Sequence, residues 1–311
     1  DDLFRRLSRD GLTEGLEGDY KHYDKKIKKL EFDVVLNLRF SLYDAYLQTP
    51  DLMIRLQNYY KEIVYSKIVM ETGDVIQKDC GNPSGQVNTI TDNSIINEWR
   101  WYYLWCVITP EIYHTLAMFR KHCELVVCGD DSLISVSMHG QSIFPVSAIQ
   151  RESEIQGWNF KFFSNSYRPI HQLSYCSQRF MWYHGYVLPV PNSVPKILSS
   201  ILYGTKGRPH RSREILSRIL GIRMECFFLP KLRAFLEEYI SYLFDKYYSE
   251  LRRVPPKDML SYDELLLINR TYSQALQLYI NDVDVDERSW CPYRKGRHVP
   301  FDNEHIVDLI N

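Results

Sequence analysis

Long apolar runs are missing from this chain. Its most apolar stretch, Trp99 to Ile108, falls well short of the ~20 residues a membrane span needs and carries polar faces. A basic, apolar and small-residue leader is also lacking, so any membrane association is expected to come through a partner. An excess of one charge is lacking too. The 38 Lys and Arg against 39 Asp and Glu give a net charge of −1, which excludes a uniformly basic nucleic-acid binder and leaves only local patches for that work. Paired cysteine motifs are absent: the seven cysteines are odd in number and contain no Cys-x-x-Cys. That excludes a disulfide framework and reads as free thiols in a reducing compartment. Cys123 and Cys128, near His114 and His122, match no common zinc spacing and read as core residues. Internal repeats and low-complexity segments do not occur.

What is present is an ordinary globular composition. With 311 residues, 45% hydrophobic and 25% charged, the chain can bury a full core as one large domain or two smaller ones. Two basic patches stand out. Lys21, Lys25, Lys26, Lys28 and Lys29 form one, and Lys206, Arg208, Arg211, Arg213, Arg218 and Arg223 the other. Each is either a solvated helix face or a track for a phosphate backbone.

The decisive element is Gly129-Asp130-Asp131, set between the apolar runs Leu125 to Cys128 and Leu133 to Val136. The pattern predicts a β-hairpin with acid at its tip. Adjacent carboxylates at a tight bend repel each other, and a divalent cation relieves the repulsion. Upstream, Asp19 and Asp24 lie five positions apart where a strand leads into a helix. In a continuous strand that odd spacing would point them to opposite faces. If the strand ends after Asp19 and the chain turns, Asp24 swings back to a neighbouring subsite.

Between these acidic elements a glycine-bearing loop, Gly81 to Asn93, runs into an apolar helix from Ile95 to Ile108. Ser84-Gly85 is followed at four-residue steps by Thr89 and Asn93, and on a helix those two would share a face. Average composition produces such a match in roughly a few chains per thousand of this length. A helix N-terminus with polar capping residues is the structural alternative.

Taken together, and in this order, the three elements resemble the viral RNA-dependent RNA polymerases of the positive-strand picorna-like and astrovirus-like groups. Asp19 and Asp24 match motif A; Ser84, Gly85, Thr89 and Asn93 match motif B; Gly129 to Asp131 match motif C. Gln156 to Lys161 is a motif D candidate and Leu173 to Phe180 a motif E candidate.

The resemblance implies an α+β fold. Residues 1–190 would be a right-hand polymerase palm, an antiparallel sheet backed by helices, with part of the fingers. Residues 191–311 would be a mainly helical thumb. The family's fingers precede motif A, where this chain has 18 residues, so the fingers are expected to be largely missing and the chain to be a palm-and-thumb portion of a polyprotein whose activity by itself the resemblance does not imply.

The resemblance also implies the chemistry: template-directed transfer of a ribonucleotide to an RNA 3′-hydroxyl with two Mg²⁺ or Mn²⁺ ions. Hard, hydrated cations take oxygen ligands. Asp19, Asp130, Asp131 and the Tyr20 carbonyl would supply them, and Asp24, Ser84, Gly85, Thr89 and Asn93 would hold the nucleotide. Reading the 2′-hydroxyl needs both donors and acceptors, and reverse transcriptases usually carry a bulky aromatic where Asp24 stands. Lys161 would protonate the departing pyrophosphate, although the alternation Trp158 to Phe163 also suits a solvent-facing lysine. Arg179 would touch the primer backbone or be a surface cation.

Partners would be template and primer RNA, ribonucleoside triphosphates and other viral replication proteins, in host cytoplasm at membrane-associated replication complexes. The rival reading is a non-catalytic RNA-binding remnant, and it predicts decay at the acidic positions, which are intact. A metal-dependent nuclease would not need the ribose-reading set.

Local patterns give further expectations. A helical region runs from Phe40 to about Tyr65 with a break near Pro50, and a hairpin joins Lys67 to Met70 with Val75 to Lys78. Thr109 caps a new helix with Pro110 in its first turn. A helix spans Val146 to Gln156, and strands continue to about Val190. Helical patterns follow over Ile197 to Tyr203, Ser212 to Leu220 and Lys231 to Tyr248.

Overall fold

The computed structural model describes residues 2–183, 186–202, 212–226, 229–255 and 259–270. It divides into two compact units, one covering Asp2–Cys176 and the other beginning at Ser177.

The first unit opens with α1 (Asp2–Leu7) and β1 (Glu14–Tyr20), followed by α2 (Tyr23–Lys26), α3 (Lys29–Ser41) and α4 (Pro50–Val64). A small hairpin, β2 (Lys67–Val69) with β3 (Val75–Gln77), precedes the long α5 (Thr89–Ile108) and α6 (Leu116–His122). Then come β4 (Cys123–Cys128), β5 (Asp131–Val136), α7 (Met138–Ile143), α8 (Val146–Ile155), β6 (Phe160–Phe162), β7 (Arg168–Pro169) and β8 (Ser174–Tyr175).

The sheet has the order β4-β5-β1-β6, with β7 also pairing β1, and every pairing is antiparallel. Its strands alternate apolar and polar residues, so Leu16, Tyr20, Ile134 and Val136 turn into the core. Helix α5 supplies the opposing wall with Ile96, Trp101, Leu104 and Trp105, joined by Phe32 and Val35 of α3 and Ile149 of α8. This places the polar stripe of α5 against the ends of β1 and the β4–β5 hairpin.

Local chemistry explains where the helices stop and start. The region expected to begin at Phe40 is already helical from Lys29, because Glu31 accepts from the Lys28 amide at 2.7 Å and closes the first turn. It breaks over 42–49 and resumes where the Thr49 hydroxyl accepts from the Leu52 amide at 3.2 Å with Pro50 at the first helical position. Thr109 does not cap a new helix. Its hydroxyl donates back to the Trp105 carbonyl at 2.8 Å, and only a single 3₁₀ turn, Glu111–Tyr113, follows. The capping threonine is Thr115, which accepts from Met118 at the start of α6.

The second unit starts with the hairpin β9 (Gln178–Tyr183) and β10 (Tyr186–Pro191), in which Arg179 pairs with Val190. Helices α9 (Val194–Leu202), α10 (Ser212–Glu225), α11 (Pro230–Lys246) and α12 (Tyr248–Leu251) follow. Leu216, Ile219 and Leu220 of α10 pack with Leu232, Leu236, Ile240 and Leu243 of α11. The compact units part at 176/177, while the change in sequence pattern that separates palm from thumb in the resemblance lies at 190/191.

This unit corrects the reading of the arginine patch. Arg213 is buried, donating to the carbonyls of Leu251, Arg253 and Leu260 at 2.5, 2.6 and 2.8 Å. Arg223 is buried as well and reaches Asn269 at 2.7 Å. The Arg213 guanidinium satisfies backbone carbonyls and that of Arg223 a side-chain amide oxygen, both inside the unit, so neither is available to a phosphate backbone. Lys206, Arg208, Arg211, Tyr203 and Trp290 to Asn311 lie outside the described residues.

Candidate active site

The hairpin tip is built from Gly129 and Asp130, a two-residue turn that closes the Cys128↔Asp131 pair. Gly129 has φ +63, a left-handed value that a side chain would strain, and the glycine-first turn matches the right-handed twist of the flanking strands. Helix α5 grips this turn. Ser94 Oγ accepts from the Gly129 amide at 2.8 Å, and Asn97 Nδ2 donates to the carbonyls of Gly129 and Asp130 at 3.0 and 3.1 Å. Tyr20 donates its hydroxyl to Asn97 Oδ1 at 3.3 Å, so the last residue of β1 joins the same clamp.

Strand β1 lies beside β5 with Gly18 opposite Ser132, which brings Asp19 level with the hairpin end. The carboxyl of Asp130 is held above its ordinary range, first by desolvation within the crowded tip and then by the charges of Asp19 and Asp24, against backbone amides that favour its ionised form. Its outer face still meets solvent. Three acids spread over more than a hundred positions thus share one field. Lys161 on β6 pairs with Asp19 in register, and its ammonium stands 3.8 Å from the Asp19 carboxylate with both side chains partly open to solvent. Asp131, on β5, acts on a different neighbourhood: its charge helps raise the Tyr175 hydroxyl and the Cys176 thiol, after their desolvation and the nearby cysteines.

Asp24 returns to the site because the chain turns immediately after β1. His22 takes a left-handed conformation at φ +61 and starts the short α2. Asp24 then receives Asn93 Nδ2 at 2.5 Å on one carboxylate oxygen and Ser84 Oγ at 3.1 Å on the other. Asn82 Nδ2 donates onward to Asn93 Oδ1 at 2.9 Å, and the Tyr23 hydroxyl donates to the Asn93 carbonyl at 2.7 Å. Gly85 is exposed, with open space around its α-carbon. Thr89 lies away from this group: its hydroxyl bonds the carbonyls of Pro83 and Gln86 at 2.8 and 2.7 Å and ties down the loop. Arg179 belongs to the second unit, on β9, where burial lowers its pKa.

An open cleft of about 850 Å³ runs beside these groups, lined by Tyr20, Asp24, Ser84 and Asp130, with Lys25 and Lys78 among its cations. Lys78 donates to the Gly81 carbonyl, and desolvation lowers its ammonium pKa.

Beneath the cleft sits Arg100, buried, with Nε donating to Glu31 at 2.6 Å and its guanidinium within 5.1 Å of the Tyr20 ring centroid, 4.7 Å of Tyr23 and 5.0 Å of Trp158. A second pair, half-buried Arg39 with buried Asp92 at 2.5 Å, braces the start of α5 with Tyr60. Asn82, Asn97, Arg100, Arg39 and Asp92 belong to none of the motif positions named from the sequence. A signal was present for two of them: Asn93, Asn97 and Arg100 fall on one face of an otherwise apolar helix.

Among the described residues, no three His, Cys, Asp or Glu side chains already stand as a metal cage. The donor set nevertheless suits hard cations, since Asp19, Asp24 and Asp130 are oxygen donors and the charges of the first two bear on the third. No helix of the described residues is long and apolar enough to cross a membrane.

A family model described as "Viral RNA-dependent RNA polymerase" matches residues 1–248. The chain is 30% identical over 252 residues to the "Non-structural polyprotein 1AB" of Turkey astrovirus 2, covering 76% of this chain and 15% of that polyprotein. With the polyprotein of the same description from Ovine astrovirus 1 it shares 30% identity over 209 residues, 66% of this chain and again 15% of the relative. Among solved structures it is similar to "Sicinivirus 3Dpol RNA dependent RNA polymerase", with a TM-score of 0.60 and 18% identity over 88% of this chain and 53% of that one. That last likeness is one of fold. The chain spans about 15% of the length of these curated relatives.

Proposed function

This chain belongs to the viral RNA-dependent RNA polymerases, and from that premise we propose that it carries the nucleotidyl-transfer centre of an enzyme that copies template RNA from ribonucleoside triphosphates during viral genome replication. The observation that carries the reading is the shared field of Asp19, Asp24 and Asp130 at the end of the sheet, with the Ser84, Asn93 and Asp24 hydrogen bonds beside it. A field of like charges is what a bound cation relieves, and the neighbouring amide and hydroxyl groups match the donor and acceptor needs of a ribose.

Asp19 and Asp130, with the Tyr20 carbonyl and Asp131 close in sequence, would hold two divalent ions, Mg²⁺ or Mn²⁺. Such ions lower the pKa of an attacking hydroxyl and neutralise a departing pyrophosphate. The remaining work falls to the chain's own groups. Asp24, Ser84 and Asn93 orient the sugar, and Gly85 gives the loop its freedom next to Ser84. Thr89 holds that loop through the Pro83 and Gln86 carbonyls. Lys161 keeps an ammonium 3.8 Å from Asp19, where it can give a proton to the leaving group. Arg179 would steady the primer strand.

We read the first unit as palm with part of the fingers and the second as thumb, and place the protein, through viral partners, at membrane-associated replication complexes in host cytoplasm.

Primer extension on an RNA template by the full-length polymerase carrying this chain tests the reading. Asp130→Asn is expected to abolish incorporation with Mg²⁺ or Mn²⁺ while leaving the circular dichroism spectrum unchanged. Extension at the unsubstituted rate would refute the assignment.

A further inference from the structure

Asn82 lines the cleft yet is buried, at 4% exposure. Nothing in the motif that brings Ser84 and Asn93 together assigns it a task. Its position is rigidly specified. The Asn82 amide donates to the Asp24 carbonyl at 2.6 Å, and the preceding Gly81 donates to the Ile27 carbonyl at 2.7 Å. Gly81 has φ +89, and a Cβ there would come within 2.7 Å of the Asp24 carbonyl oxygen. The loop backbone is thus docked on the very residue whose carboxylate Asn93 addresses.

The hydrogen bonds among these side chains run in one direction. Asn82 Nδ2 donates to Asn93 Oδ1, and Asn93 Nδ2 donates to Asp24 Oδ1. An asparagine amide can rotate by half a turn and exchange its donor and acceptor ends. Asn93 needs its NH₂ toward Asp24, since its oxygen there would face a carboxylate. The Asn82 NH₂ fixes that choice from the other side by occupying the Asn93 oxygen. Asn82 adopts this orientation although its own Oδ1 is buried without a hydrogen-bond partner, an arrangement that favours the contact with Asn93 over satisfaction of Asn82 itself.

We propose that Asn82 is a positioning residue for sugar selection: it holds the Asn93 amide in the orientation that leaves Asp24 and Asn93 able to recognise a ribose 2′-hydroxyl. The proposal rests on the reading that Asp24 and Asn93 contact the ribose. Replacing the donor at 82 by a carboxylate of the same shape reverses the demand on Asn93, drawing its NH₂ toward position 82 and its oxygen toward Asp24.

The test is the ratio of incorporation efficiencies for a ribonucleotide and its 2′-deoxy counterpart, measured in the full-length polymerase for Asn82→Asp, Asn82→Ala, Asn93→Ala and the Asn82→Asp/Asn93→Ala pair. Melting midpoints are recorded alongside. Asn82→Asp is expected to lower the ribo-to-deoxy ratio at least tenfold, mainly by loss of ribonucleotide use, and to change nothing further in the Asn93→Ala background. Should Asn82→Asp melt below the assay temperature, Asn82→Ala and Asn82→Ser, which keeps a hydroxyl donor, carry the same comparison. A ratio unchanged at position 82 while Asn93→Ala lowers it would overturn the role of Asn82 alone, and equal losses for both sugars would reduce Asn82 to a purely structural part. A ratio unchanged in Asn93→Ala as well would overturn the ribose reading beneath it.

Discussion

Replacing Asn97 by leucine would separate the mechanical support of the hairpin tip from the chemistry of its acids. Asn97 is fully buried, bonds the Gly129 and Asp130 carbonyls at 3.0 and 3.1 Å, and receives the Tyr20 hydroxyl at 3.3 Å. Leucine fills a similar volume and leaves all three groups without this partner. An unsatisfied buried polar group costs ~1–3 kcal/mol. The Asp130 carbonyl lies where water can reach the turn and Tyr20 also faces Arg100, so the low end applies and the total is about 2–3 kcal/mol. In a unit of this size that lowers the melting midpoint by roughly 4–12 °C. The larger effect is expected in turnover, because a catalytic group displaced by ~1 Å can lose about a hundredfold in rate. Thermal melts and single-turnover nucleotide incorporation, done on one preparation, read both quantities. Lost stability with turnover within twofold of the unsubstituted enzyme would refute the claim that this clamp aims Asp130, and no loss of either would refute the hydrogen bonds themselves.

Arg100→Met should destabilise by about 3–5 kcal/mol, since it leaves the buried Glu31 carboxylate without its cation, and the double change Arg100→Met/Glu31→Leu should recover most of that in a denaturant melt. Recovery of none of it would show that the guanidinium stabilises through its three aromatic neighbours alone. Asp130 gives a pH signature in the metal-free protein. Its folded pKa lies above the ordinary carboxylate value, so ionisation penalises the folded state at neutral pH, and the penalty vanishes as pH falls through the folded pKa to below the unfolded one. Asp130→Asn should therefore raise the melting midpoint at neutral pH and lose that advantage in acid; a constant difference across the range would contradict the shared field. Carboxyl titration by NMR in Asp24→Asn should find the Asp130 pKa lowered, and an unmoved value would show that the two acids do not sense each other.

The parts of the site that could be read from sequence are those whose cause is local. Gly129 followed by Asp130 between two β-branched runs contains its own turn, and the predicted hairpin is the one that forms. Asp19 and Asp24 needed one additional fact, the turn at His22, which the odd spacing had already made necessary. Thr109-Pro110 shows the limit of local reading: the same dipeptide that signals a cap also permits a hydroxyl to bond backward to the Trp105 carbonyl, which is the bond that forms. The buried arginines mark a second limit. Charge patterning cannot separate a solvated Arg213 from one enclosed by carbonyls at 251, 253 and 260, because those partners arrive from nearly forty positions away or more.

The central place of β1 has a consequence for how this chain can change. Because side chains alternate along a strand, Asp19 is aimed by counting: Gly15 opposite Ser135 and Gly18 opposite Ser132 act as marks on a ruler whose zero is set by Leu16 in the core. Adding or removing one residue between Glu14 and Gly18 would turn the acid to the wrong side of the sheet while preserving every residue type. The β2–β3 hairpin, whose six strand residues all face solvent, sets no register for these acids, so a one-residue change of length there leaves the aim of Asp19 intact, while the same change in β1 reverses it.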